Sequence, residues 1–198
     1  IPTTKLDDIS SVDDGNDCSS NNIAALLQGN GYKTGFVGKW HLYNSDDTEY
    51  DYWKVQEKIR ACGFDAAEGI YLENLNNEWA KYGSFSHNME YLTEKAIDFI
   101  DDAVADGQDF FLYFNPTAPH VSGDVYEALL DYSCRDTPEG KLSREPVIAG
   151  MTKEYDGGCG DYRLSVLDRA NGDTSNSVLG SIWVDDAVGA LLGHLEQL

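Results

Sequence analysis

The stretch Phe110–Phe114, FFLYF, constrains this chain more than any other. Five consecutive apolar or aromatic residues leave no polar face, so a strand built from them needs cover on both sides. The segment before it, Met89–Val104, has a different pattern. Leu92, Ala96, Phe99, Ile100 and Ala103 fall on one stripe at helical spacing, while Glu90, Glu94, Lys95, Asp98 and Asp102 are placed to stay wet. Asp106-Gly107 stops the helix. A long amphipathic helix feeding a covered strand is the repeating unit of an α/β sheet.

The alternation recurs. Lys33–Lys39 (KTGFVGK) reads as a strand, preceded by a short helix Ile23–Gln28 with Asn22 as its N-cap and the Gly29–Gly31 region as its end. Asp51–Cys62 has helical spacing, with Tyr52, Val55 and Ile59 on one side, and Gly63-Phe64-Asp65 breaks it. Asp124–Tyr132 reads as a short helix. Val178–Leu195 reads as a long one that buries Ile182, Val188, Leu191, Leu192 and Leu195. The expected fold class is α/β, a mainly parallel sheet flanked by helices. The 198 residues form a single domain in this reading, with 1–21 as an acidic extension and 133–175 as an irregular insertion. Four cysteines, Cys18, Cys62, Cys134 and Cys159, share no CxxC spacing and permit three disulfide pairings. A bridge between Cys134 and Cys159 would hold an insertion that has no core of its own.

Charge removes several function classes. There are 14 Lys+Arg against 35 Asp+Glu, a net charge of −21. Nucleic-acid binding needs a basic face, and electrostatic docking on anionic membrane needs the same, so neither partner is expected. No apolar run approaches the roughly 18 residues of a membrane span. The opening IPTTKLDDISS has neither a basic nor an apolar leader region, so these residues are not a signal peptide. Asp13-Asp14-Gly15 has the start of a calcium loop but lacks the alternate acidic positions, and no metal ligand is assigned.

Two motifs carry candidate chemistry. Gly38-Lys39-Trp40-His41 ends the first strand, and alternation along a strand puts Lys39 and His41 on one side. Ala118-Pro119-His120 follows FFLYF after the turn Asn115-Pro116-Thr117, and its two prolines stiffen the loop. In open α/β sheets, ligands bind beyond the carboxyl ends of the strands, and the two ends converge if the strands are neighbours. Lys39, His41 and His120 would then make a cationic point on an acidic body, suited to a sulfate or phosphate ester.

These residues also carry a resemblance. Asn22–His41, NIAALLQGNGYKTGFVGKWH, is similar to the block TIAxLLxxxGYxTGxxGKWH of the sulfatases, in the alkaline-phosphatase superfamily. Gly63-Phe64-Asp65, the T-x-x-A-x-x-F-I pattern of Thr93–Ile100, FFLYF with Ala118-Pro119-His120, and Trp183–Gly189 (WVDDAVG) resemble further family blocks in the same order. The resemblance implies a partial sulfatase-like domain and a sulfuric ester hydrolase, in which a formylglycine attacks sulfur while a bound calcium polarises the sulfate. It implies that Lys39 holds a sulfate oxygen, that His41 hydrogen-bonds the formylglycine hydrate, and that His120 contacts sulfate and protonates the leaving alcohol. The nucleophile motif C/S-x-P-S-R is missing. The nearest string, Cys18-Ser19-Ser20-Asn21-Asn22, lacks both Pro and Arg, and Cys18 reads as a structural cysteine. The family's calcium-binding Asp pair and Asp-Asn pair have no match either, so calcium is expected only where those segments are present. The implied substrate is a sulfate ester, with no turnover expected from this chain alone. The alternative is a non-catalytic sulfatase-derived subunit whose partners are other protein subunits. A secretory, extracellular or organelle-lumen location is expected, the alternative being a cytosolic protein with four free thiols.

Overall fold

The computed structural model describes residues 22–40, 51–71, 87–120, 125–132 and 134–198. The expectations for residues 1–21, including Cys18, and for His41 lie outside the described residues. The elements run α1 (Ile23–Gln28), β1 (Lys33–Lys39), α2 (Tyr52–Ala61), β2 (Ala66–Tyr71), α3 (Met89–Ala105), β3 (Phe110–Asn115), α4 (Val125–Leu130), β4 (Asp136–Thr137), β5 (Gly140–Lys141), α5 (Gly158–Arg169) and α6 (Asn176–Leu195). Polar side chains start three of the helices. Asn22 Oδ1 accepts from Ala25 N at 2.9 Å, Asp51 Oδ1 accepts from Trp53 N and Lys54 N, and Asn88 Oδ1 accepts from Tyr91 N at 2.9 Å. Each bond satisfies a donor that the first helical turn leaves unpaired.

The three longer strands form one parallel sheet in the order β2-β1-β3. Its two faces are covered separately. Phe36, Trp40, Phe64, Ala67 and Ile70 pack with Tyr52, Val55 and Ile59 of α2 and Ala24 of α1. Val37 and Tyr71 pack with Tyr91, Leu92, Ala96, Phe99 and Ile100 of α3 and with Leu191 of α6. A third cluster lies beyond α3, where Leu129 of α4, Tyr162 and Val166 of α5 and Leu179, Trp183 and Ala187 of α6 meet. This is the α/β architecture expected from the alternation of elements.

Four details differ from the sequence reading. The covered central strand is β1, buried through Thr34–Val37, whereas FFLYF is half-buried, with Tyr113 48% exposed. Among the described residues, FFLYF pairs with β1 alone and forms the sheet's edge. β2 went unread because Ala66–Tyr71 (AAEGIY) shows no clear alternation, and Gly69 inside it adopts φ +59°. Residues 133–175 are not simply irregular: they contain β4, β5 and the helix α5. The two cysteines expected to staple this region are bonded, Cys134 to Cys159, and Cys62 is in a disulfide as well. A closed loop of the 25-residue separation contributes on the order of 3 kcal/mol.

The fourth difference concerns which helix faces are buried. α6 buries Leu179, Trp183, Ala187, Ala190 and Leu191, while Val188, Leu192 and Leu195 are exposed. Both stripes are apolar, so period alone does not choose; the fit of Trp183 between α3, α4 and α5 does. Glu90, placed on the wet side of α3 by its spacing, is fully buried against Arg163 of α5. α6 is long and apolar enough to cross a membrane by length and composition, yet its Trp183 side sits in the protein core.

Candidate active site

The Gly63-Phe64-Asp65 segment fixes the start of β1. Gly63 has φ +96°, and a Cβ there would lie 2.6 Å from Ala25 Cα, so only glycine permits α1 to approach this closely. Phe64 packs edge-on against Phe36 (5.7 Å) and Trp40 (6.2 Å). Asp65 accepts from Thr34 N at 2.9 Å and from Gln28 Nε2 at 2.7 Å. Partial burial raises the Asp65 pKa, but the bonds from Thr34 and Gln28, with Lys33 nearby, outweigh that and hold it below the usual carboxylate range. A carboxylate whose folded pKa is depressed stabilises the fold above its unfolded pKa, and the contribution is lost as pH falls through the folded value. Asp65→Asn should therefore flatten the acid limb of a stability-versus-pH curve below about pH 4. An unchanged limb in urea titrations at successive pH values would contradict this role.

At its carboxyl end, β1 closes tightly on β3. Gly38 pairs with Asn115, has φ +118°, and a Cβ there would lie 2.0 Å from the Asn115 carbonyl oxygen. No other residue fits without parting the strands. The pairing with β2 shifts register at the same point. Asn115 Nδ2 then donates to the Lys39 carbonyl at 2.7 Å, and Trp40 N donates to Tyr71 O at 2.6 Å. Lys39 thus leaves the sheet from a backbone held on both sides, with its side chain partly buried. At the end of β2, burial pushes the Tyr71 phenol well above its ordinary pKa, so it stays a neutral side chain there.

The β3 end is held as firmly. Thr117 and Ala118 are buried, and the Ala118–Pro119 peptide is cis. Thr117 Oγ1 lies 2.6 Å from Nδ1 of the buried His87. Pro119 rests on α6, where a Cβ at Gly180 would come within 2.7 Å of Pro119 Cα. His120 follows this packed turn and is exposed. Because β1 and β3 are adjacent and parallel, Lys39 and His120 leave the same edge of the sheet, one and five residues beyond the Gly38–Asn115 pair. Of the three site residues expected from sequence, two therefore share that edge, and His41 lies outside the described residues.

Sequence reasoning missed the groups that hold these two residues. Asn115 and Thr117 belong to the stiff turn already noted before His120. His87 and Gly180 are remote in sequence and carried no local signal. A cation and an imidazole at the carboxyl edge of a parallel sheet can hold an anionic ester and donate a proton to a leaving oxygen.

Lys39 and His120 thus leave a parallel α/β sheet at the carboxyl edge, where ligands of such sheets bind. The chain belongs to the sulfatase family, whose model matches residues 5–198. It is similar to the ulvan-active sulfatase of Formosa agariphila, 28% identical over 110 residues, which cover 50% of this chain and 20% of that protein. It is 29% identical over 136 residues to arylsulfatase G of Canis lupus familiaris, covering 50% of this chain and 25% of that protein. It is 28% identical over 124 residues to the uncharacterized sulfatase YdeN of Escherichia coli, covering 52% and 22%. The aligned region thus spans a quarter or less of each relative.

The family implies calcium, and the described residues do not fit it. Calcium takes a shell of six to eight oxygens. Among the described residues, the group of potential ligands that converges is Cys134, Glu145 and Cys159. Its two sulfurs are bonded to each other, it offers a single carboxylate, and it belongs to the 134–159 loop rather than to the edge carrying Lys39 and His120.

Proposed function

We propose that this chain carries the ester-holding part of a sulfuric ester hydrolase. Lys39 holds a sulfate oxygen. His120 contacts the sulfate and donates a proton to the departing alcohol oxygen, which lowers the charge that oxygen must bear as the S–O bond breaks. His41 orients the nucleophile by hydrogen bonding. The observation that carries this reading is the adjacency of β1 and β3, which delivers Lys39 and His120 to one edge. Family membership supports the choice of sulfate ester as the substrate class. The chain alone binds the ester without turning it over, because it contains no C/S-x-P-S-R nucleophile. The disulfides support residence in an oxidising compartment, extracellular or lumenal.

The test is calorimetric titration of the chain with 4-nitrocatechol sulfate, alongside release of the catechol measured by absorbance. Wild type should bind and release nothing above background, and Lys39→Ala should weaken binding by roughly tenfold, about 1.4 kcal/mol. Equal affinity in Lys39→Ala would remove Lys39 from the site, and steady catechol release by the chain would overturn the inactive reading.

The second reading, a non-catalytic subunit of a larger assembly, draws on a different observation. Among the described residues β3 pairs with β1 alone and presents Tyr113 half-exposed, and a strand at a sheet edge is a template for pairing with another chain.

A further inference from the structure

We propose that His87 is a positioning residue for the loop that presents His120. This rests on the ester-holding reading given above. His87 and Thr117 are 30 residues apart in sequence, each 2% exposed, and their Nδ1 and Oγ1 atoms are 2.6 Å apart. Either the imidazole N–H donates to the hydroxyl oxygen, or the hydroxyl donates to the bare ring nitrogen; both tautomers give one short bond shielded from water. Such a bond is stronger in a low-dielectric interior than at the surface, and losing one partner costs more there.

The location of each end gives the bond its role. His87 directly precedes Asn88, the N-cap of α3. Asn88 is itself fixed by accepting from Tyr91 N and donating to Cys134 O at 2.8 Å and Asp136 O at 3.2 Å. α3 in turn packs along the sheet. His87 therefore projects from a point whose position is tied to the strands. Thr117 lies midway between Asn115, which is bonded to the Lys39 carbonyl, and His120. The contact of Pro119 with Gly180 is steric, so it stops the loop moving toward α6 but does not hold it there. The His87–Thr117 bond supplies the directional tie, fixing where the Ala118-Pro119-His120 turn sits relative to the end of β1. A misplacement of about 1 Å at a reacting group is enough to lose large factors in efficiency.

The experiment compares wild type with Thr117→Val and His87→Phe, using 15N relaxation on the ligand-free chain and calorimetry with 4-nitrocatechol sulfate. The amides of Ala118 and His120 should fall from rigid order parameters near about 0.85 to below about 0.6 in both variants. Affinity for the aryl sulfate should drop roughly tenfold. Thr117→Ser, which restores the hydroxyl, should recover both. If His87→Phe unfolds the chain, Thr117→Val carries the test, since it removes the hydrogen-bonding oxygen and little volume. Unchanged order at 118 and 120 in Thr117→Val overturns the proposal. So does lowered stability with unchanged affinity, the mark of a purely structural bond. If wild type and Lys39→Ala bind the aryl sulfate equally, the ester-holding reading fails, while the ligand-free relaxation still decides what His87 does.

Discussion

Arg163→Met should destabilise the chain by about 3–5 kcal/mol, the range for breaking one side of a buried ion pair. Arg163 and Glu90 are both fully buried, joined by Nε to Oε1 at 3.0 Å and Nη2 to Oε2 at 2.8 Å. The guanidinium also donates through Nη1 to Ala128 O at 2.8 Å and to Asp131 O, and it lies over the Trp183 ring. Trp183 Nε1 donates to Glu90 Oε1 at 3.2 Å. Burial alone would lower the Arg163 pKa, but the Glu90 carboxylate outweighs it and keeps the arginine charged. Methionine fills much of the same volume but leaves Glu90 without its cation in a buried site. The double change Glu90→Leu with Arg163→Met should recover most of the loss, because the cost lies in the stranded charge. Urea unfolding followed by tryptophan fluorescence measures both. A single-variant loss below about 1 kcal/mol would mean that water reaches Glu90.

Phe99→Ala should cost about 3–5 kcal/mol by the ordinary price of emptying a large core site. Phe99 is 4% exposed, and its ring meets Phe110 edge-on at 6.1 Å. Across the sheet face it covers Gly35, where a Cβ would lie 2.6 Å from the ring carbons. The ring and the absent side chain are therefore complementary. Alanine at position 99 removes the ring from the space it fills over Gly35. A loss under about 1 kcal/mol in the same urea titration would put the apolar stripe of α3 in the wrong register.

The fold was legible where one pattern dominated. α3 and β1 follow from a clear apolar stripe and from a glycine-bounded strand, and the GKWH and APH motifs marked the ends of the two strands that prove adjacent. Three misreadings have one physical cause: pattern gives polarity but not partners. FFLYF is apolar on both sides, yet among the described residues it pairs with β1 alone and stands at the edge. α6 carries two apolar stripes, and only the fit of Trp183 selects one. Glu90 sits at a polar position of α3, but Arg163, 73 residues later, allows its burial. The supports of the candidate site were invisible for the same reason. His87 and Gly180 act on the His120 loop through space, and no local spacing announces them.

The place of β3 at the edge of the described sheet also bears on how molecules of this chain treat one another. Among the described residues this strand of mixed aromatic and aliphatic side chains pairs on one side, and a strand edge of that composition invites a second copy to align beside it. What opposes that meeting is the charge of −21, which makes every approaching copy strongly repulsive. At physiological ionic strength the repulsion acts over a Debye length of about 8 Å, roughly the last step before two strand edges touch. The excess of acidic residues thus favours colloidal stability, guarding by charge a strand that is half-exposed among the described residues.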